Sequence, residues 1–335
     1  MAHPLRHRIA AVVLTGLCFS LFLGADPVSG AEPLPDPLSL DQALALAEKH
    51  PRVDATPALA DRFPRRQPLY LDCHTLAFSS SAVDPGRDRP MAPLIEPADA
   101  ARLEVLTRFL DVLLADLAFA RYNEAMAVAY IQFDRAGARR DLGQISDLGV
   151  LELESVYQEV LQNRTASEIG QQFTRTLLGQ ALDSPDTLPR DLVTPTLPEP
   201  PDPLPQLQAL AERAIADNAA VRALTTAGSA SDRRLVELEL RQQIQELLLR
   251  LRALAAAQRQ VRTESAYRDL KLDESRTLYD QEVTADLGYS MSQQTMTRMR
   301  DQRVAFCRAL AWAELNALTG RPILSPANPQ ADRSQ

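Results

Sequence analysis

From about Ala98 to Phe133 the chain alternates apolar and polar positions at helical spacing. Leu103, Leu106, Leu110, Leu113, Leu117 and Ala120 form one row at steps of three and four. Val105, Val112, Phe119, Met126 and Phe133 form a second, each seven residues from the last. One row is one face of an α-helix; two rows predict a neighbour on each side. A helix in a curved wall or a bundle needs this pattern, and a lone surface helix does not. A second long helix is predicted from about Ser231 to Tyr279. Leu240, Leu247, Leu254 and Val261 make one of its seams, and Ile244 and Leu251 the other.

Each long segment runs into a turn and returns. In "RRDLGQISDLGVLELE" (139–154), Gly143 can take the left-handed conformation that stops a helix. Ser146 can cap the free N–H groups of the next helix, and Asp147 suits its positive end. The returning helix carries Leu148, Leu151, Val156, Val160, Ile169, Phe173 and Leu177. A related turn, "LYDQEVTADLGYSMSQQ", occupies 278–294. The flanking pieces also recur. "LSLDQALALAEKH", with Ser39 as N-cap, is matched by "LQALAERAIADNAAV", and "RTLLGQALDSP" by "NALTGRPILSP".

The expected architecture is therefore all-α: duplicated long antiparallel helical hairpins with little or no β-strand. Repeat one spans 38–180, a Pro-rich strap 181–205, repeat two 206–325 and a disordered tail 326–335. Repeat one has about thirty extra residues, mostly in the Pro-rich stretch after its first short helix. The prolines at 51, 57, 64, 68, 85, 90, 93 and 97 forbid a long helix there. Within that stretch, "QPLYLDCHTLAFSSS" has room for one strand or a short hairpin arm. In repeat two, "RALTTAGSASDRRLVELELRQQ" passes almost directly from the opener to the long helix.

Composition agrees with this reading. Of 335 residues, 45% are hydrophobic and 24% charged, with only 12 Gly, which suits a mostly helical protein. Residues 1–31 read as a secretory signal: Arg6 and Arg8, then "IAAVVLTGLCFSLFLGA", then small residues that place cleavage after Gly30 or Ala31. No later stretch approaches the ~18 uninterrupted apolar residues of a transmembrane helix. Removing 1–31 deletes two Arg and one Asp, which takes the net charge from −8 to −9. An acidic exported chain without a basic stripe is a poor nucleic-acid binder.

Chemistry is sparse. An oxidising compartment would allow Cys73 and Cys307 to bond. Cys73 and His74, with His50, are a soft-metal grouping but lack the spacing of a zinc cage. Ser79–Ser81 lacks the context of a nucleophile elbow, and no Gly-rich phosphate loop occurs. The sequence assigns no catalytic residue, cofactor or metal.

The ordered set of openers, tips and closing segments, duplicated after a signal peptide, resembles the outer-membrane efflux protein family, the TolC-like ducts. The resemblance covers roughly 38–325. It implies a homotrimer whose paired repeats build a periplasmic helical tube, working with a periplasmic adaptor and an inner-membrane transporter. It also implies adaptor docking at the tips, Gly143, Ile145 and Ser146 in the first and Val283 and Thr284 in the second. Asp286 matches an acidic constriction of the tube entrance, whereas Tyr289 stands where a further acid is expected. Glu282 stands where the first tip has its small residue, Gly143. The chain has no room for two barrel strands per repeat. An alternative reading is a periplasmic coiled-coil scaffold or adaptor that forms no conduit.

Overall fold

In the computed structural model of the chain, the described residues are 34–79, 92–186, 190–281 and 287–326. The expected signal segment lies outside them, as does the expected tail from 327 on. Among the described residues there are nine α-helices: α1 (Leu40–Ala47), α2 (Pro57–Arg62), α3 (Cys73–Phe78), α4 (Pro97–Asp141), α5 (Asp147–Ala181), α6 (Leu207–Asp217), α7 (Ala219–Ala227), α8 (Ala230–Asp280) and α9 (Leu287–Leu318).

Local chemistry sets the helix starts. Ser39 and Gln42 form a reciprocal capping box before α1, and Ser229 and Asp232 do the same before α8. Pro97 opens α4, where its missing N–H costs nothing.

The two hairpins, α4–α5 and α8–α9, lie side by side through α4 and α9. The order across the layer is thus α5–α4–α9–α8, without extensive packing between α5 and α8. α4 has the two neighbours that its two apolar rows require. Val105, Leu106, Phe109, Leu110 and Val112 are fully buried. On α8 the predicted seams, Leu240, Leu247, Leu254 and Val261 with Ile244 and Leu251, are buried as well. The apolar core is densest at the end of the hairpins away from the tips, where Phe306 and Trp312 join it. There α1 packs on α4, α6 and α7 pack on α8, and α3 packs on α8 and α9.

Two local expectations are corrected. The described residues of "QPLYLDCHTLAFSSS" contain no strand: residues 73–78 form helix α3, capped by Asp72, whose side chain accepts the Thr75 N–H at 3.0 Å. The preceding backbone finds a side chain instead of a strand partner. The N–H groups of Leu69, Tyr70 and Leu71 all donate to the Asp111 carboxylate, at 2.7, 2.7 and 2.9 Å. In repeat two, the passage from opener to long helix contains α7, started by the Asn218 side chain on the Val221 N–H. Among the described residues the β-structure is one isolated parallel bridge, Leu38 with Leu192, which ties the strap to the start of α1.

Asn218 is fully buried, and its amide also donates to the carbonyls of Leu94 and Leu318 at 2.8 and 2.9 Å. It thereby fastens the start of α7 to the end of α9. Gly320 ends α9 at φ +71°, and a Cβ there would lie 2.8 Å from the backbone of Asp217. Gly320→Ala should therefore lose about 2 kcal/mol or more, from left-handed strain plus a backbone clash. Gly137→Ala, in open space on α4, should gain about 0.5–1 kcal/mol from helix propensity. Urea denaturation of the two variants should give shifts of opposite sign.

Candidate assembly surfaces at the hairpin tip and outer helices

The first tip is built as the sequence predicts. Gly143 sits at φ +71°. Its N–H donates to the Arg140 carbonyl at 2.8 Å, and the Gln144 N–H donates to that of Arg139 at 2.9 Å. These two bonds satisfy two of the four carbonyls that the end of α4 would otherwise leave free. Ser146 caps α5 by accepting the Gly149 N–H at 3.2 Å. Ile145 folds back over Gly149, where an added Cβ would lie within 2.8 Å of its side chain, and the adjacent Val150 is buried. Around this turn Leu142, Leu148 and Leu151 are exposed, at 72%, 76% and 60%. The tip thus presents an apolar collar on a rigid turn. Val283, Thr284 and Asp286 of the second tip lie outside the described residues, as does Glu282.

The outer helices hold what the sequence reading did not isolate. The apolar residues it assigned to the returning helix are divided: Leu177 is buried, while Leu148, Leu151, Val156, Ile169 and Phe173 are exposed. On the exposed side of α5, positions 148, 151, 155, 158, 162, 165, 169, 172 and 176 recur at helical spacing. They read Leu, Leu, Ser, Gln, Gln, Thr, Ile, Gln, Thr, all exposed and none charged. In a chain with 24% charged residues, an exposed row of that length without a charge departs from an ordinary solvated face. On α8 a row at seven-residue spacing, Leu235, Gln242, Leu249, Ala256, Thr263 and Leu270, lies opposite the buried seams and is exposed. Its signal was present in the sequence as a third heptad phase; two buried phases alone account for a helix inside one chain.

The linker between α1 and α4 is fastened across the layer. Asp111 on α4 holds residues 69–71, as described. The Tyr70 hydroxyl occupies the space left by the missing side chain of Gly170 on α5. Cys73 of α3 is disulfide-bonded to Cys307 of α9, which answers the question left open by the sequence. His50 pairs with the Gln180 carbonyl instead of approaching Cys73. Among the described residues no group of three or more His, Cys, Asp or Glu could hold a metal ion.

A scan of protein-family models finds no match to the sequence, and neither does a search of curated proteins. Solved structures do match. CusC, from a study of folding and transmembrane channel formation, is similar over 84% of this chain and 97% of its own, with 12% identity and a TM-score of 0.53. A membrane protein from Pseudomonas aeruginosa matches over 84% and 90%, with 15% identity and a TM-score of 0.44. The MtrE outer membrane channel of Neisseria gonorrhoeae matches over 86% and 90%, with 12% identity and a TM-score of 0.39. The likeness to CusC shows a shared fold: the duplicated, TolC-like helical hairpin, here without barrel strands among the described residues.

Burial raises the pKa of Asp111, and the three backbone N–H groups and Arg108 offset that only in part. A carboxyl that binds its proton more tightly when folded stabilises the fold fully at low pH. That contribution is lost as pH rises through the raised value. The stability of the native chain minus that of Asp111→Asn should therefore fall as pH increases upward from the ordinary aspartate range. Urea titrations at several pH values check this; a difference that rises with pH contradicts it.

Proposed function

We propose that the chain is an exported component of an outer-membrane efflux or secretion duct, forming the periplasmic helical tube and performing no chemistry. The observation that carries this reading is the pair of unpartnered flanks. One edge of the layer is an exposed, uncharged row on α5; the other is an exposed apolar heptad row on α8. The two edges differ from each other, so copies join head to tail and close into a ring when the rotation allows. A homotrimer, with α5 of one copy against α8 of the next, gives every long helix a neighbour on both sides. CusC, whose fold the chain shares, is described as forming a transmembrane channel, which supports a duct role.

In this reading the tip residues Gly143, Ile145, Ser146, Val283 and Thr284 face a periplasmic adaptor that links the tube to an inner-membrane transporter. The exposed Leu142, Leu148 and Leu151 supply apolar area for that contact. Asp286 narrows the entrance. The localisation proposed is the outer membrane, mostly on its periplasmic side. A second reading, a periplasmic scaffold without a conduit, draws on the lack of barrel strands among the described residues.

Native mass spectrometry of the mature chain should find a trimer. Leu249→Glu places a charge in the middle of the exposed α8 row. It should shift the population to monomer with unchanged helical circular dichroism, since Leu249 lies outside the buried seams. A native chain that stays monomeric at roughly tens of micromolar, where an interface of micromolar Kd would already be populated, would sink the duct reading and leave the scaffold.

A further inference from the structure

At the end of the first hairpin farthest from its tip, the linker and α4 enclose a cleft of about 390 Å³. Its lining includes Arg52, Arg62, Arg65, Arg66 and Arg108, with Glu104 as the carboxylate among the lining residues. Arg62, Arg65 and Arg66 come from a short run in which Pro64 interrupts any helix. Arg108 rises from α4 beneath them and is 3% exposed.

Two carboxylates act on Arg108, Glu104 in the lining and Asp111 one turn further along α4, against five arginines in the lining. Arg65 Nε meets Glu104 Oε2 at 2.7 Å, while Arg108 Nη2 is 3.8 Å from Oε1. Arg108 Nη2 donates to the Arg66 carbonyl. Arg108 Nη1 is buried and has no hydrogen-bond partner. A guanidinium cannot shed its proton under ordinary conditions, so an unpartnered buried donor beside four further cations is costly. Burial lowers the pKa of both Arg65 and Arg108; Glu104 opposes this for both and Asp111 for Arg108, while the neighbouring Arg52 adds to it. The mature chain is acidic, which makes this the opposite of its average surface.

We propose that this cleft binds a phosphate-bearing anion. Tetrahedral oxyanions match several converging guanidinium forks, and each contact is a charge-assisted hydrogen bond. The anion would meet the free Nη1 of Arg108 at the base and Arg52, Arg62 and Arg66 around it. Phe63, 63% exposed, lines the same cleft, and Leu59 and Leu69 are exposed nearby in the chain. Those apolar side chains suit a phosphate carried on acyl chains, although free phosphate would use the same donors. The cleft also touches α5 through Leu177 and Gln180, at the end of the exposed α5 row, but the proposal does not depend on the duct reading.

The test uses the mature full-length chain, with inorganic phosphate followed by calorimetry. Co-sedimentation is run in parallel on phosphatidylcholine vesicles with and without phosphatidic acid. The double variant Arg62→Gln, Arg66→Gln removes two exposed members and spares the buried Arg108. It should weaken binding about tenfold or more. Arg233→Gln with Arg234→Gln, exposed on α8, removes the same charge elsewhere and should leave binding unchanged. Saturable phosphate binding lost in the first variant upholds the site with a free anion as its source. Binding only to phosphatidic acid vesicles, lost in the same variant, upholds it with a lipid source. No binding to either probe, or equal loss in both variants, overturns it.

Discussion

Val128 of α4 packs into the space that a side chain at Gly288 of α9 would fill, and nearby the Thr295 hydroxyl donates to Glu124 at 2.6 Å. This contact between the two hairpins constrains the rest of the structure. It places α4 and α9 inside the layer and leaves α5 and α8 at its edges. A hairpin that folded across its partner would instead have closed a four-helix bundle and buried all four apolar faces within one chain. Here the inner helices are satisfied at both flanks, whereas the outer helices keep one flank each without a partner.

The two ends of the layer differ in how firmly they are held. Away from the tips, α1, α3, α6 and α7 close over a shared core, and the Asp111 fastening, the Asn218 bonds and the Cys73–Cys307 disulfide lie there too. Toward the first tip the buried apolar positions thin to small or single residues such as Ala129, Ala136 and Val150. Local opening is least costly where few apolar contacts must break. A layer anchored at one end and lightly packed at the other can move its tips while the anchored end stays fixed.

Much of this was legible in the sequence because it depends on local or periodic signals. Gly143 and Ser146 announce a helix stop and start by their own backbone and side-chain chemistry, and the turn forms accordingly. The seams of α8, and those of α4 as far as Val112, follow from spacing; beyond it the α4 rows are half-buried and Ala120 is exposed. What was hidden depends on residues far apart. Leu69–Leu71 looks like a strand until Asp111, forty residues on, takes its N–H groups. The arginine cleft combines α1's exit, the Pro-bounded linker and one turn of α4, and no window of sequence contains it. The exposed rows of α5 and α8 are periodic, yet a row with no partner in the chain looks like surface until its lack of charge is noticed.

The central claim is that the α5 edge of one copy seats against the α8 edge of the next. Gln172 and Ala256 sit in those rows at similar distances from the tips, each about 25 residues along its helix. Cys73 and Cys307 are bonded to each other, so in a chain begun at residue 32, which omits Cys18, Gln172→Cys with Ala256→Cys adds the reactive pair. Packed helices lie about 8–10 Å apart, within reach of a short bifunctional thiol reagent. The account predicts intermolecular cross-links that build dimers and then stop at a covalently closed trimer. Monomer that fails to link, or a ladder that continues past three copies, would contradict it.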